Sequence, residues 1–195
     1  PSSFADFPMP LSAKTPPATA AADPVRLLAG SDLASNEPVD RALRDVLGCF
    51  ATGVTVLTAL AADGNAIGVT INSFNSVSLD PPLILWSLSR VSPRLTAFQQ
   101  AAHYAVNVLA AQQQTISDSF AARGGEPFAG LRVRHGLGGA PLLEGCAAWI
   151  ECSHYAQYPG GDHLIFVGRV ERFSRHPGGE PLIFHGGRHC QLRRK

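Results

Sequence analysis

Gly68-Val69-Thr70-Ile71-Asn72-Ser73-Phe74-Asn75-Ser76-Val77-Ser78-Leu79-Asp80-Pro81-Pro82 is the stretch whose reading decides the fold. A β-branched run, Val69, Thr70 and Ile71, leads straight into residues dominated by Ser and Asn. The stretch stops at a double proline, and a second strand-like run follows in Leu83-Ile84-Leu85-Trp86. Short hydroxyl and amide side chains donate and accept at close range and hold main-chain N–H groups in irregular conformations. Such a segment can line a polar ligand with backbone donors. From composition alone, a Ser-rich loop between two strands reads equally well.

Working outward, the spacing predicts a helix from Val39 to Phe50. Pro38 suits its first turn, and Val39, Leu43, Val46, Leu47 and Phe50 share one face. Thr52-Gly53 ends it. Val54–Leu60 and Ile67–Asn72 read as strands joined by a turn at Ala62-Asp63-Gly64-Asn65. Leu83–Leu88 is almost wholly apolar, which predicts a strand buried on both faces. Ser92 and Pro93 read as the cap and first residue of a helix reaching Ala102. Tyr104–Leu109 is a strand, Gln112–Ala122 an exposed helix, and Glu126–Glu144 a loop-rich segment with a short strand near Val133. Ala147–Gln157 and His163–Phe173 form a long hairpin about Tyr158-Pro159-Gly160-Gly161-Asp162, and Leu182–Phe184 is a last short strand. About seven strands with hairpin connections and a few helices predict a closed or half-closed antiparallel barrel, mainly β with flanking helices.

The chain has 195 residues, 45% apolar and 16% charged, with a net charge of +1. That suits one domain (38–195) with a sizeable core, preceded by a flexible arm (1–37) rich in Pro, Ala, Ser and Thr, with a short helix possible at 25–28. The charge balance points to no nucleic-acid partner, and the terminal Arg193-Arg194-Lys195 reads as a solvated tail. Cys49, Cys146, Cys152 and Cys190 form no C-x-x-C, fit no zinc spacing and read as reduced thiols. No apolar run reaches a membrane span and no signal peptide is recognisable, so the expectation is a cytoplasmic protein without a membrane. No G-x-G-x-x-G follows a strand, and the G-x-S-x-G and P-loop patterns are absent.

The stretch at 68–85 resembles the signature of the flavin reductase-like family with the FMN-binding split barrel fold. The resemblance continues in Cys49-Phe50-Ala51-Thr52-Gly53-Val54-Thr55-Val56, Tyr104-Ala105-Val106-Asn107-Val108-Leu109, Gly161-Asp162-His163 through Gly168, and Pro181-Leu182-Ile183-Phe184. These blocks run in order over about four-fifths of the chain. The resemblance implies an antiparallel split β-barrel and an NAD(P)H:flavin oxidoreductase. It would transfer hydride to N5 of FMN or FAD from NADH or NADPH, without a catalytic acid or base. It also implies a homodimer, with reduced flavin passing by diffusion to a separate monooxygenase.

By the same resemblance, Thr70, Ile71, Asn72, Ser73, Phe74, Asn75, Ser76 and Ser78 would line the flavin. Ser87, Leu88, Ser89, Arg90, Ser92 and Arg94, between a strand and a helix start, would hold its phosphate, since arginine forks match phosphate geometry. Which of Arg90 and Arg94 reaches the phosphate stays open. His163 stands where relatives carry a Gly-Asp-His that contacts the nicotinamide, and Gly187, Arg188 and His189 fall in a C-terminal segment assigned to the same nucleotide. His189 replaces the tyrosine common there. No metal is implied; His185, His189 and Cys190 lack a matching carboxylate or histidine pair. Other readings are a flavin-binding electron carrier or sensor without turnover, a pyridoxamine phosphate oxidase-type barrel, and a structural barrel.

Overall fold

The computed structural model describes residues 37–192. The expected arm, its short helix and the basic tail lie outside the described residues, except for Glu37 at the start of the first helix.

The first helix, α1, spans Glu37–Gly48. Its apolar face is uncovered among the described residues: Val46, Leu47 and Phe50 are well exposed, Phe50 at 74%. The helix is tied at its C-terminal end, where Gly186 donates its N–H to the Gly48 carbonyl at 2.9 Å. Thr52–Gly53 does more than end this helix. It is a short strand, β1, paired with Ile183–His185 (β11), which in turn pairs with Arg188–Cys190 (β12). Two-residue and three-residue strands carry too little periodicity to be seen in sequence.

The main sheet has seven strands, all antiparallel. In chain order they are β2 (Thr55–Leu60), β3 (Ala66–Ile71), β4 (Asn75–Leu79), β5 (Pro82–Ser89), β6 (His103–Val108), β9 (Ala148–Gly160) and β10 (His163–Arg175). In space the order is β3-β2-β6-β9-β10-β5-β4. A small hairpin, β7 (Val133–His135) and β8 (Pro141–Leu143), completes the strands. Asn75–Leu79, read as loop, is therefore strand β4: the double proline lets the chain turn so that its polar residues pair with β5 along the sheet edge.

β3 and β5 lie far apart in the strand order, yet Val69 and Ile71 share one core with Ile84, Trp86 and Leu88. Sharing a core curls the sheet into a barrel. At its centre Trp86 stacks on Phe166, with ring centroids 4.1 Å apart, and meets Phe98 and Tyr104 edge-on. β5 itself alternates: Ile84, Trp86 and Leu88 point inward while Leu83, Leu85 and Ser87 are only half-buried. β2 and β6 are covered on both faces, because helix α3 (Gln114–Ala121) and the β8 segment pack a second core against their other side. Asn107 ties that layer down. It donates to the Val56 carbonyl and to Thr58 Oγ1, both at 3.0 Å, and accepts from the Leu143 N–H at 2.8 Å.

The two remaining helices also differ from the sequence expectation. Helix α2 spans only Leu95–Gln100. Ser92 does not cap it; its hydroxyl accepts the Arg94 N–H at 3.3 Å in a local turn. Helix α3 is not simply exposed, since it buries Ser117 and Phe120. No helix among the described residues is long and apolar enough to cross a membrane.

Candidate functional site

The C-terminal ends of β3 and β5 and the start of β10 meet at one end of the sheet. Ser73, just past β3, makes the join: its hydroxyl donates to the Ser87 carbonyl and accepts the Ser87 N–H, each at 3.0 Å. Both polar groups of the Ser87 backbone are thereby satisfied on the edge facing the loop. Two residues further on, Ser89 pairs with His163. The Asn72–Phe74 segment, the Ser87–Arg94 segment and the Gly161–His163 turn thus form one continuous rim.

Beside this rim lies a cleft of about 600 Å³. Thr70, Ile71 and Asn72 form one wall, Ser117, Asp118 and Ala121 of α3 a second, and Gly187, Arg188 and His189 a third, with Val54 and Phe184 adding apolar surface. A chain of polar contacts connects the walls. Thr70 Oγ1 donates to the Ser117 carbonyl at 2.7 Å, and Ser117 Oγ lies 3.2 Å from His189 Nε2. The His189 ring meets Phe184 edge-on at 5.7 Å. Gly187, at φ +76°, makes the tight β11–β12 turn that brings Arg188 and His189 back to the cleft. Apolar walls with a few convergent polar groups suit a flat ring with a polar edge, and the volume lies within the usual small-molecule range. On donor chemistry and size, the residues present fit a flavin ring.

At the other end of the rim, His163 is half-exposed, and its Nδ1 lies 2.8 Å from Asp162 Oδ1. That hydrogen bond, then the charge attraction of the same ring, holds the Asp162 carboxyl below the usual carboxylate value. With Asp162 ionised, Nδ1–H donates and Nε2 is left for a ligand. Arg94 Nη2 donates to the Ala122 carbonyl at 3.3 Å, at the C-terminal end of α3 and next to the cleft wall at Ala121. Arg90 Nε donates to the Gly161 carbonyl at 2.9 Å.

The cleft brings together Thr70, Ile71 and Asn72 from the segment assigned to flavin and Gly187, Arg188 and His189 from the segment assigned to nicotinamide. Ser73, Phe74, Ser87, Ser89, Arg90, Ser92, Arg94 and His163 lie along the rim. Ile71 and Leu88 give their side chains to the core, so they can serve a ligand only through their main chain. Asn75, Ser76 and Ser78 sit on the edge strand β4, where Ser78 Oγ is engaged with Asp80. They do not line the cleft. Ser117 and Asp118 were missed by sequence reasoning. The available signal was a serine one turn before Phe120 on the inward face of α3.

Residues 47–193 match the flavin reductase like domain. The FMN reductase (NADH) SmoA of Agrobacterium fabrum is 47% identical over 132 residues, covering 68% of this chain and 75% of that protein. The reductase component of the flavin-dependent trigonelline monooxygenase of Acinetobacter baylyi is 43% identical over 134 residues, 69% of this chain and 43% of that protein. Against two of its curated relatives the chain spans less than half of their length, 47% and 43%. Among solved structures, the NADH:FAD oxidoreductase of Streptomyces globisporus C-1027 in complex with NAD and FAD fragments is similar at a TM-score of 0.76 and 38% identity, over 80% of this chain and 95% of that one. With a curled antiparallel sheet, a ring-sized cleft and these relatives, the chain belongs to the flavin reductase like domain family and has its split-barrel fold.

Proposed function

We propose that this chain is an NAD(P)H:flavin oxidoreductase that supplies reduced FMN or FAD to a separate monooxygenase. The observation that carries this reading is the cleft in which Thr70–Asn72 meets Gly187–His189. NADH is the preferred reductant, in line with the names of the similar FMN reductase (NADH) and NADH:FAD oxidoreductase. Thr70, Asn72 and the main chain at Ile71 hold the polar edge of the flavin ring, with Val54 and Phe184 against its apolar part. Ser89, Ser92 and Arg94 receive the phosphate. His163 offers Nε2 to the nicotinamide, and Arg188 and His189 line its nucleotide. When bound, the flavin supplies N5 as acceptor of the hydride released from C4 of the nicotinamide. The protein's own contribution is to align the rings and exclude water, since hydride transfer depends on distance and stacking. Reduced flavin leaves by diffusion, without a stable complex with the oxygenase. The four free thiols, two of them buried, support a reducing, cytoplasmic setting.

The expected result is NADH oxidation, followed by nicotinamide absorbance under air, that depends on added FMN or FAD. A protein that binds flavin yet oxidises neither NADH nor NADPH would overturn the reductase and favour an electron carrier.

The proposal includes a homodimer. Among the described residues, β4 is an unpaired sheet edge carrying Leu79 at 93% exposure, and α1 leaves Val46, Leu47 and Phe50 uncovered. Exposed edges and apolar faces of this kind are commonly covered by a partner. Sedimentation velocity is expected to return twice the 20.6 kDa of one chain; a monomer at micromolar concentration excludes the dimer.

A further inference from the structure

The Gly161-Asp162 turn projects beyond the last paired residues of two ladders, His163 with Gly160 of β9 and His163 with Ser89 of β5. Gly161 adopts φ +69° to make it. A tip of this kind, with exposed backbone and few apolar contacts, opens easily unless it is tied. Arg90 ties it twice. Its main-chain N–H donates to the Asp162 carbonyl at 2.8 Å, and its Nε donates to the Gly161 carbonyl at 2.9 Å. Asp162 in turn holds His163 Nδ1 at 2.8 Å.

We propose that Arg90 is a positioning residue that braces the Gly161-Asp162 turn and, through it, fixes where His163 presents Nε2. This rests on the reading that His163 meets the nicotinamide. The main-chain bond is open to any residue but proline at this position. The side-chain bond is specific to arginine, because the donor sits one atom before the guanidinium carbon; lysine has a methylene there and a mobile ammonium beyond it. With Nε committed to a carbonyl, the plane of the guanidinium is set by the turn. The brace also joins the segment that receives the flavin phosphate to the segment that receives the nicotinamide. The two binding loops therefore move as one body.

The test compares wild type with Arg90→Lys, Arg90→Ala, His163→Ala and the double variant Arg90→Ala/His163→Ala. Each is assayed with FMN and with riboflavin, which carries no phosphate. Arg90→Ala is expected to raise the KM for NADH roughly tenfold, short of the ~100-fold that a 1 Å misplacement costs. The rise is the same with both flavins, and the flavin Kd stays within about twofold. Arg90→Lys follows Arg90→Ala, and the double variant is no worse than His163→Ala alone, the signature of one residue acting through the other. In the flavin-free protein, hydrogen exchange at residues 161–163 is faster in Arg90→Ala than in wild type. A defect present with FMN and absent with riboflavin makes Arg90 a phosphate ligand and overturns the brace. So does a KM effect that adds to that of His163→Ala, or unchanged hydrogen exchange. Should wild type oxidise no nicotinamide with any flavin, the reductase reading fails, and hydrogen exchange alone still decides whether Arg90 braces the turn.

Discussion

His163→Ala is expected to raise the KM for NADH roughly tenfold and to leave kcat within about twofold. The magnitude follows from what is removed. One hydrogen bond from Nε2 to the nicotinamide contributes on the order of 1–1.5 kcal/mol, which is close to a factor of ten in affinity. A contact made equally in the bound state and the transition state changes binding without changing the chemical step. No proton moves through His163 in a hydride transfer, so its loss leaves the rate at saturation nearly intact. The Asp162 pairing that orients the ring should persist at neutral pH. Asp162 lies below its ordinary value of 3.8, so the carboxylate that orients the ring stays ionised. The sign follows from the depressed value: the pairing is present above the carboxylate range and is lost only as pH falls through it. Steady-state kinetics at saturating flavin give the answer. An unchanged KM would remove His163 from the site while leaving the reductase standing.

Gly168→Ala should cost roughly 3 kcal/mol of stability, the upper end of what overpacking a core produces. Gly168 lies in β10, at a shift in register against β9. A Cβ there would run into Tyr104 Oη and sit 2.8 Å from Tyr104 Cζ. Tyr104 is wholly buried and its ring packs against Trp86, which is itself stacked on Phe166. The hydroxyl therefore has no direction in which to yield. Burial also pushes the Tyr104 phenol up, above its ordinary range, in keeping with an enclosed environment. Urea unfolding measures the loss. A change below about 0.5 kcal/mol, the scale of a surface substitution, would mean that the aromatic cluster relaxes around the added methyl.

Much of this architecture is legible in local sequence. The Val54–Leu60, Ile67–Asn72, Tyr104–Leu109, Ala147–Gln157 and His163–Phe173 runs each correspond to a strand within a few residues. Their connecting turns carry the Asp, Asn and Gly residues that tight turns demand. Of the polar stretch after β3, Asn72 lines the cleft, while Asn75, Ser76 and Ser78 lie on the edge strand β4. The shortfalls have physical causes. β4 reads as loop because its serines and asparagine suit an exposed edge strand as well as a turn. The apolar run of β5 predicts burial on both faces, yet the strand alternates, since which strands lie under a second layer depends on where α3 and β8 pack. The apolar face of α1 is clear in the sequence, but its partner is not.

The candidate site divides in the same way. Thr70, Asn72, His163 and Arg188 were identifiable from the motifs they stand in. Ser117 was not, because its role comes from contacts with Thr70 and His189, 47 and 72 residues away. Arg90 also reaches across 71 residues to the turn it ties. Sequence by itself determined the local conformations: where strands run and where the chain turns. Only the tertiary structure decided that β6 lies between β2 and β9, that β10 lies beside β5, and that Gly168 must lack a side chain. The reason is that periodicity reports the faces of a strand but not its neighbours. Those are set by which apolar faces close on one another, here around Trp86, once the whole sheet has curled.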